Sequence, residues 1–347
     1  MKTAKLENLL NGKIILITGG SGSIGLQIAM HLLNNYTPHV IRILTNDENS
    51  LFSTKLQLQD QPNVRFFLGD IRDEERVKKA IENVNVLFHA AALKHVEMCE
   101  YNPFEAIKTN VLGTQNLINA ALTEDISHFI LISTDKAASP LNVMGATKLL
   151  AEKLVSSAMG YRGNSKTIFT TVRFGNVFGT RGSIFPIIKE QVLKKEKIEI
   201  RNPELTRFLM SIKEALNLVF FALENSKGGE VFLPKMKSIK IDKLIGEIVQ
   251  FVCEEENINR EDIEIITTYV KAGEKIHEEL ITEDELRTTV EYENYYILQT
   301  HLAHPNQYNW VDNHSLTDLK SYSSENSPSL SKEEVTTLMQ NIKDLKE

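Results

Sequence analysis

The chain has 347 residues, 42% of them hydrophobic and 24% charged, and its formal net charge is −7. This length predicts a large core and two lobes rather than one compact domain. The acidic balance argues against a nucleic-acid binder, which usually carries a basic face, and there is no apolar run of about 18 residues that would predict a membrane span.

The first predicted strand leads directly into a glycine-rich turn. Lys13 to Ile17 is a β-branched run typical of a buried parallel strand, and apolar residues at helical spacing follow the turn. Gly20, Gly22 and Gly25 match G-x-G-x-x-G, and Gly19 with Gly22 and Gly25 matches G-x-x-G-x-x-G. Such glycines let the backbone approach a pyrophosphate, which rests on the helix N-terminus. The strand, turn and helix in succession therefore predict a dinucleotide site.

Strands and helices continue to alternate after this turn. Further strands are predicted at 40–44, 64–68, 84–88 and 129–132, and helices at 75–82, 106–122 and 146–157. This alternation predicts an α/β fold with a Rossmann-like, doubly wound parallel sheet. Additional cofactor contacts are predicted at the glycine turn and after the third and fourth strands, from Ser23, Ile24, Asp70, Ile71, Ala90, Ala91 and Ala92.

The end of the second strand bears on the choice of cofactor. NAD binders place an acid there to hold the ribose hydroxyls, whereas this chain has Thr45 and Asn46, with Asp47 just beyond. A small hydroxyl leaves room for a 2′-phosphate, and Arg42 or Lys55 could supply positive charge. We predict NADP, with NAD as the alternative that Asp47 keeps open.

A polar tetrad follows the fifth predicted strand. Ser133, Thr134, Asp135 and Lys136 come directly after the buried run that ends at Ile132. The carboxyl ends of the strands in an open parallel sheet face the ligand, so proton-transfer groups are useful there. The next segment, from Met144 to Lys148, opens an amphipathic helix whose lysine could reach the cofactor. Together the two segments predict redox chemistry on a bound nucleotide combined with acid–base chemistry on a second ligand.

The alternation weakens after Arg173, which predicts a second and smaller α/β lobe. We divide the chain into a cofactor-binding domain at 1–176, to which later segments return, a substrate lobe at 177–320, and a polar tail with a terminal helix at 321–347. Predicted helices lie at 184–192, 213–223 and 240–253, with a short strand at 231–233. In the tail, Ser331 and Glu334 are spaced as a capping box for a helix running to Leu345.

The ends of the chain and its cysteines bear on location. The first residues lack the apolar stretch of a secretory signal, and Cys99 and Cys253 lack the spacing of metal ligands. We therefore expect a cytoplasmic protein with reduced thiols and no bound metal.

Several motifs, in this order, resemble those of a known family. They are His89-Ala90-Ala91-Ala92-Leu93-Lys94-His95, Lys108-Thr109-Asn110, Ser133-Thr134-Asp135-Lys136-Ala137, Arg173-Phe174-Gly175-Asn176-Val177, Arg181-Gly182-Ser183, Thr206-Arg207-Phe208 and Gly273-Glu274-Lys275-Ile276-His277-Glu278. The chain resembles the extended short-chain dehydrogenase/reductases. More narrowly, it resembles the soluble UDP-N-acetylglucosamine (UDP-GlcNAc) 4,6-dehydratases of bacterial pseudaminic-acid, legionaminic-acid and capsule pathways.

This resemblance implies a three-step reaction on UDP-GlcNAc. A tightly held, recycled cofactor takes hydride from C4, water is eliminated across C5 and C6, and the hydride returns to C6 to leave a 4-keto-6-deoxy sugar. The resemblance also implies a homo-oligomer, such as a hexamer. A dehydratase that also epimerises C5, a nucleotide-sugar epimerase and a non-catalytic cofactor-binding regulator are the alternatives.

The resemblance also assigns roles to the polar tetrad and its helix. Asp135 is the acid for the departing C6 hydroxyl, Lys136 the base for the C5 proton, and Lys148 holds the nicotinamide ribose. An ordinary lysine, with a pKa of about 10.4, is a poor base. We therefore expect desolvation and a nearby Lys148 cation to lower the pKa of Lys136. Met144 stands where most family members have tyrosine, and a thioether cannot take a proton.

The base for the C4 hydroxyl is therefore open at this point, with Lys136 or Asp135 serving twice and Thr134 positioning the hydroxyl. Substrate contacts are assigned by the same resemblance. The residues expected to bind the nucleotide-sugar are Lys94, Asn176, Arg181, Arg207, Glu274 and Lys275. The arginines are chosen because their guanidinium groups match phosphate geometry.

Overall fold

The computed structural model describes residues 2–268, 273–299 and 321–344. The described strands, in chain order, are β1 (Ile14–Thr18), β2 (Val40–Thr45), β3 (Val64–Leu68), β4 (Val86–His89), β5 (His128–Thr134), β6 (Ile168–Phe174), β7 (Asn176–Val177), β8 (Ile198–Ile200), β9 (Thr206–Met210), β10 (Val231–Pro234), β11 (Lys237–Lys240), β12 (Ile265–Thr267), β13 (Glu279–Ile281), β14 (Thr289–Tyr292), β15 (Tyr295–Leu298) and β16 (Tyr322–Ser323).

The α-helices of the same ranges connect and cover these strands. They are α1 (Ala4–Leu10), α2 (Ser23–Asn35), α3 (Glu48–Gln57), α4 (Glu74–Ile81), α5 (Val96–Tyr101), α6 (Pro103–Ala106), α7 (Gly113–Glu124), α8 (Val143–Tyr161), α9 (Ile184–Lys194), α10 (Ile212–Asn225), α11 (Ile241–Glu256), α12 (Glu283–Leu286) and α13 (Lys332–Asp344). No helix in this part of the chain has the length and apolar character needed to cross a membrane.

A nine-stranded sheet organises the fold, in the order β14-β15-β10-β6-β5-β4-β1-β2-β3. Strands β1 to β6 and β10 pair in parallel, whereas β15 and β14 are added antiparallel. The order 3-2-1-4-5-6 is that of a doubly wound dinucleotide-binding sheet. The predicted α/β fold class is therefore confirmed.

Both faces of this sheet are covered by helices. Alternate residues of each strand point to opposite faces, so a strand such as β1 contributes to two apolar clusters. Ile15 and Ile17 of β1 belong to one apolar cluster, with side chains of α2 and α10. Leu16 between them belongs to a second cluster, with side chains of α4, α7 and α8. This double burial explains why β1 consists of apolar residues apart from its last residue, Thr18.

The structure interrupts one predicted helix. In place of a continuous helix over 106–122, a π-helical turn at Ile107–Leu112 separates α6 from α7. Within that turn, Asn110 accepts a hydrogen bond from the Leu93 backbone N–H at 2.8 Å and donates to its carbonyl at 3.1 Å. The wider turn thus ties this helical segment to the chain that follows β4, a use typical of π-bulges near functional sites.

Later segments return to the sheet and also build a second cluster. Strands β10, β14 and β15 join the main sheet, whereas β11, β9 and β7 form a separate three-stranded sheet. Helices α9, α11 and α13 pack around an apolar cluster of their own. The predicted capping box of the last helix is present, with the Glu334 N–H donating to Ser331 Oγ at 3.3 Å. The division at 176 and 320 stays a prediction, and residues 300–320 and Leu345 lie outside the described residues.

Candidate functional site

The glycine turn forms a cradle that has no room for side chains. Gly19 has a φ of 64°, and a Cβ there would lie 2.6 Å from the Ala91 backbone nitrogen. A Cβ on Gly25 would lie 2.4 Å from the Gly19 carbonyl oxygen. Gly22 caps α2, so the free N–H groups of this 13-residue helix open onto the turn. A bare backbone against a helix N-terminus fits the pyrophosphate of a dinucleotide.

The end of β2 lies next to this cradle. Thr45 is buried, and Asn46 donates a hydrogen bond to Asp70 at 3.2 Å. Asp47 caps α3 by accepting the Ser50 N–H at 3.1 Å, and hydrogen bonds from Ser50 are the main reason that the pKa of Asp47 is lowered. Its carboxylate is therefore already committed to the helix.

Two other residues of this region lie away from the strand end. The guanidinium of Arg42 donates to the carbonyls of Ala80 at 2.8 Å and Glu82 at 2.7 Å, so it does not supply the positive charge suggested by the sequence. Ile71 is 4% exposed and belongs to the apolar cluster under the sheet. Its predicted contact with the cofactor stays a prediction.

The polar tetrad forms a compact group at the end of β5. Strand pairing continues to Thr134, two residues beyond the predicted end, because Ser133 and Thr134 pair with Arg173 and Phe174 of β6. Asp135 is fully buried, and its Oδ1 accepts hydrogen bonds from Thr134 Oγ1 at 2.9 Å and Lys136 Nζ at 3.0 Å. Among the described residues, its Oδ2 is buried and has no hydrogen-bond partner, so the carboxyl keeps one oxygen free of contacts within this part of the chain.

Glu278 joins this group although sequence reasoning gave it no role. Its carboxylate lies 3.6 Å from Lys136 Nζ and 3.7 Å from Arg207 Nε, with 5% of the side chain exposed. The motif Gly273–Glu278 contains three side chains that are charged at neutral pH, those of Glu274, Lys275 and Glu278. The sequence alone does not indicate which of them faces the tetrad. A buried carboxylate between two cations is apparent only from the packing of this segment against β9 and the tetrad.

The predicted lowering of the Lys136 pKa is wrong in this structure. Burial by itself lowers this pKa, but the carboxylates of Asp135 and Glu278 outweigh burial and raise it. Lys148, the other expected cause, donates its Nζ to the Ile132 carbonyl at 2.7 Å, and the cation that acts with burial to lower the pKa of Lys136 is Arg207. Burial lowers the pKa of Lys148 itself to about 8, against the opposing charge of Glu152.

Met144 packs as an apolar side chain at the start of α8. It is 3% exposed and lies in a small cluster with Cys99 and Ala106. Asn142 caps the helix by accepting the Gly145 N–H at 2.8 Å. A Cβ on Gly145 would lie 2.3 Å from the Lys136 carbonyl oxygen. The helix start therefore approaches the tetrad through a glycine.

A buried ion network contacts the tetrad through Ser133, which bonds to Glu152. The Arg173 guanidinium donates to Glu152 Oε2 at 2.5 Å and to Glu285 Oε1 at 2.8 Å, and Arg173 is fully buried. Ser133 donates to Glu152 Oε1 at 2.5 Å. Burial opposes the charge of Arg173, but the two carboxylates outweigh burial and raise its pKa. The network joins β6, α8 and α12, and neither acid was predicted from the sequence.

A cavity of about 520 Å³ opens beside Lys136. Its other lining residues are Val96, Glu97, Glu100, Tyr101, Leu141, Asn142, Asn176, Arg201, Arg207, Gly273, Glu274, Lys275 and Glu278. Four of the six predicted substrate contacts are in this set. Arg201, which was not predicted, donates to Glu274 at 3.3 Å, and Arg207 donates to the same carboxylate at 3.2 Å.

The other two predicted substrate contacts lie elsewhere. Lys94 donates its Nζ to the carbonyl of Arg181 at 2.6 Å. The Arg181 guanidinium donates to the carbonyl of Ser21 in the glycine turn. Both therefore lie at the dinucleotide cradle and do not line the cavity beside Lys136.

Comparison with known proteins identifies the family. Residues 15–300 match the family described as "Polysaccharide biosynthesis protein", and the chain belongs to it. The inverting UDP-N-acetylglucosamine 4,6-dehydratase of Campylobacter jejuni is 39% identical over 92% of this chain and 95% of its own. The predicted resemblance to extended short-chain dehydrogenase/reductases and to this dehydratase group is confirmed.

Further relatives broaden this assignment. A protein of Methanocaldococcus jannaschii named as an uncharacterized membrane protein is 46% identical over 97% of this chain and 98% of its own. A UDP-glucose 4-epimerase of Rickettsia rickettsii is 34% identical over 94% and 95%. The crystal structure of Pen from Bacillus thuringiensis superposes with a TM-score of 0.86 at 38% identity, covering 96% of this chain and 99% of that one. The chain is thus an enzyme of the nucleotide-sugar dehydratase and epimerase kind.

Proposed function

We propose that this chain is an NADP-dependent UDP-GlcNAc 4,6-dehydratase that forms a UDP-4-keto-6-deoxy-N-acetylhexosamine. The observation that carries the proposal is the pair of Asp135 and Lys136, joined at 3.0 Å at the edge of the cavity. An epimerase returns hydride to C4 and does not need an acid and an amine together to expel water. The 39% identity to a dehydratase supports the same choice.

The substrate would lie in the cavity beside Lys136. Arg207, Arg201 and Lys275 bring positive charge for its two phosphates, and Asn176 brings an amide for a phosphate or the acetamido group. Glu274 holds both arginines in this structure, so a bound diphosphate would compete with it for the guanidinium groups.

The cofactor site fits a nicotinamide dinucleotide by its glycine cradle. Gly19, Gly22, Ser23 and Gly25 would hold the pyrophosphate, with Ala90 and Ala91 packed against the turn; the predicted contact of Ala92 is part of the same proposal. Lys148 would hold the nicotinamide ribose. When bound, this cofactor supplies the acceptor for the C4 hydride and returns that hydride to C6.

Water elimination needs a neutral amine and a protonated acid, whereas the resting pair is an ammonium beside a carboxylate. One proton passing from Lys136 Nζ to Asp135 along their hydrogen bond produces the required state. The neutral amine then takes the C5 proton, and Asp135 gives its proton to the departing C6 hydroxyl, which leaves as water. After elimination the pair is again an ammonium beside a carboxylate, and the ammonium can return a proton to C5 as hydride reaches C6. This step leaves a neutral amine, and solvent restores the resting pair by returning one proton, which balances the proton lost from the C4 hydroxyl.

This proton count also bears on the C4 hydroxyl. The resting pair holds one proton, and elimination needs an unprotonated amine and a protonated acid. If Asp135 or Lys136 also accepts the C4 proton, that proton must leave the pair before C5 is attacked. Thr134, which donates to Asp135 at 2.9 Å, would position the hydroxyl, and Met144 is a packing residue in this scheme.

The wider setting follows from the same proposal. We propose that the product enters nonulosonic-acid or capsule-precursor synthesis, that the enzyme works in the cytoplasm, and that it forms a homo-oligomer such as a hexamer.

The proposal is tested by incubating the purified protein, without added cofactor, with UDP-GlcNAc in deuterated water. NMR and mass spectrometry should show loss of one water, deuterium at C5 and a new methyl signal, and the couplings report retention or inversion at C5. A product changed only at C4 would assign the chain as an epimerase. This outcome would agree with the 34% identity to a UDP-glucose 4-epimerase. Bound cofactor without turnover on this or related UDP-sugars would contradict both.

A further inference from the structure

We propose that Arg181, on the loop between β7 and α9, binds the 2′-phosphate of NADP and so determines the cofactor preference of this chain. The inference rests on the NADP part of the proposed function. It moves Arg181 from the substrate site, where sequence reasoning placed it, to the far end of the cofactor site.

Arg181 is tethered to the glycine turn by its backbone as well as its side chain. Its N–H donates to Ser23 Oγ at 3.0 Å, and its carbonyl accepts a hydrogen bond from Lys94 Nζ at 2.6 Å. The guanidinium donates to the carbonyl of Ser21. Two of these three contacts do not depend on the side chain. A substitution of Arg181 therefore removes the cation and leaves the loop anchored.

The surroundings of Ser21 point to the adenosine end of the cofactor. The Ser21 hydroxyl lies 2.7 Å from that of Ser50, in the first turn of α3, and both serines are buried. Helix α3 begins directly after β2, where a dinucleotide in this fold places its adenosine ribose. The charge of Arg181 also contributes, after the Ser50 hydrogen bonds, to lowering the pKa of Asp47. The guanidinium is therefore within electrostatic reach of the end of β2.

In the described part of the chain, the end of β2 itself supplies no cation for a 2′-phosphate, and the nearby Arg72 is paired with Asp70 and Glu105, each at 2.6 Å. The strand end consists of Thr45 and Asn46, and the guanidinium of Arg42 is bound to carbonyls of the α4 region. Lys55 lies in the last turn of α3, about 12 Å along the helix from Asp47 at 1.5 Å per residue. A guanidinium group binds a phosphate well because its N–H groups match the phosphate oxygens. Arg181 supplies this group although it lies after residue 176, the predicted end of the cofactor-binding domain. Asp47, the residue that favoured NAD, is engaged as a helix cap beside that cation.

A competition experiment separates this role from others. The protein as purified is equilibrated with equal excesses of NADP⁺ and NAD⁺, desalted and denatured, and the retained dinucleotides are counted by mass spectrometry. Wild type, Arg181→Met and Arg181→Lys are compared with Lys55→Met, which removes one positive charge from the same neighbourhood. Thermal unfolding of each variant confirms that the fold is kept.

Wild type should retain mainly NADP. Arg181→Met should lower the NADP-to-NAD ratio about 10- to 100-fold, the effect of losing charged hydrogen bonds to a phosphate, while Lys55→Met leaves the ratio unchanged. Arg181→Lys should lie between. An unchanged ratio with lower total occupancy would mean that Arg181 acts on the shared pyrophosphate and would overturn the inference. An unchanged ratio and occupancy would overturn it too, with the NADP proposal intact. A wild-type protein that retains mainly NAD would contradict both the role of Arg181 and the proposed NADP preference.

Discussion

The substitution Glu278→Gln tests the proposed coupling between Glu278 and the base. It removes a negative charge 3.6 Å from Lys136 Nζ and keeps the size of the side chain. Two unit charges at about 4 Å attract by about 1 kcal/mol in water and about 4 kcal/mol at an effective dielectric constant of about 20. One pKa unit corresponds to about 1.36 kcal/mol, so the pKa of Lys136 should fall by about 1 to 3 units. Because 22% of the Lys136 side chain is exposed, we expect a fall near 1 unit.

The sign follows from the role of the amine. Glu278 favours the charged ammonium, so removing it lowers the pKa and increases the neutral fraction at a given pH. In the proposed scheme the pair of Asp135 and Lys136 must hold one proton, and this proton is lost as the pH rises through the pKa of Lys136. The basic limb of kcat/KM should therefore move to lower pH by about 1 unit. The assay follows formation of the 4-keto sugar from UDP-GlcNAc across the pH range of the stable protein.

Glu279→Gln is the matched control, because Glu279 lies one residue further on and pairs with Lys275 at 3.5 Å. Its pH profile should keep the wild-type basic limb. The backbone N–H of Glu278 donates to Ser324 at 2.9 Å, a contact that the Glu278→Gln substitution does not alter. If the basic limb of Glu278→Gln stays in place or moves to higher pH while the protein remains folded, Glu278 does not set the protonation of Lys136.

Four other changes test the site and its support. Asp135→Asn with Lys136→Ala should abolish dehydration while cofactor and substrate still bind by calorimetry; full activity would contradict the assigned roles. Met144→Ala should reduce stability by about 2–5 kcal/mol but keep measurable dehydration, and loss of all chemistry in a folded variant would give Met144 a direct role. Arg173→Met leaves the buried carboxylate of Glu152 and the partly buried carboxylate of Glu285 without their cation and should cost about 3–5 kcal/mol in denaturant unfolding; a cost near zero would show the network to be dispensable. Gly25→Ala, whose Cβ meets the Gly19 carbonyl at 2.4 Å, should lower cofactor occupancy at least about tenfold, as counted after denaturation; wild-type occupancy would contradict the cradle.

The elements of the cofactor-binding half were largely predictable. Buried parallel strands are short apolar runs, so β1, β2 and β3 were predicted within one residue. The end of β5 was missed because Ser133 and Thr134 are polar, and only their pairing with β6 extends the strand. The π-helical turn at Ile107–Leu112 was missed for a similar reason. Within this turn, Asn110 bonds to Leu93, 17 positions earlier in the chain, a contact that no local pattern indicates.

The main wrong prediction was the direction of the Lys136 pKa shift. Sequence reasoning considered the lysine with Asp135 and Lys148, which are near in the chain. Glu278 is 142 positions further on (278 − 136), and no local pattern indicates that its carboxylate lies 3.6 Å away. Since electrostatic shifts depend on distance in space, the direction of this pKa required the tertiary structure.

Local order along the chain was sufficient to predict three features: the strand–turn–helix of the dinucleotide site, the alternation that makes a doubly wound sheet, and the adjacency of Asp135 and Lys136. These features follow from residue spacing and backbone preference. The tertiary structure decided which charges meet across the chain: Glu278 with Lys136, Arg173 with Glu152 and Glu285, and Arg181 with the glycine turn. Each of those pairs joins segments that become neighbours only when the later part of the chain packs against the sheet, which the order of residues does not encode locally.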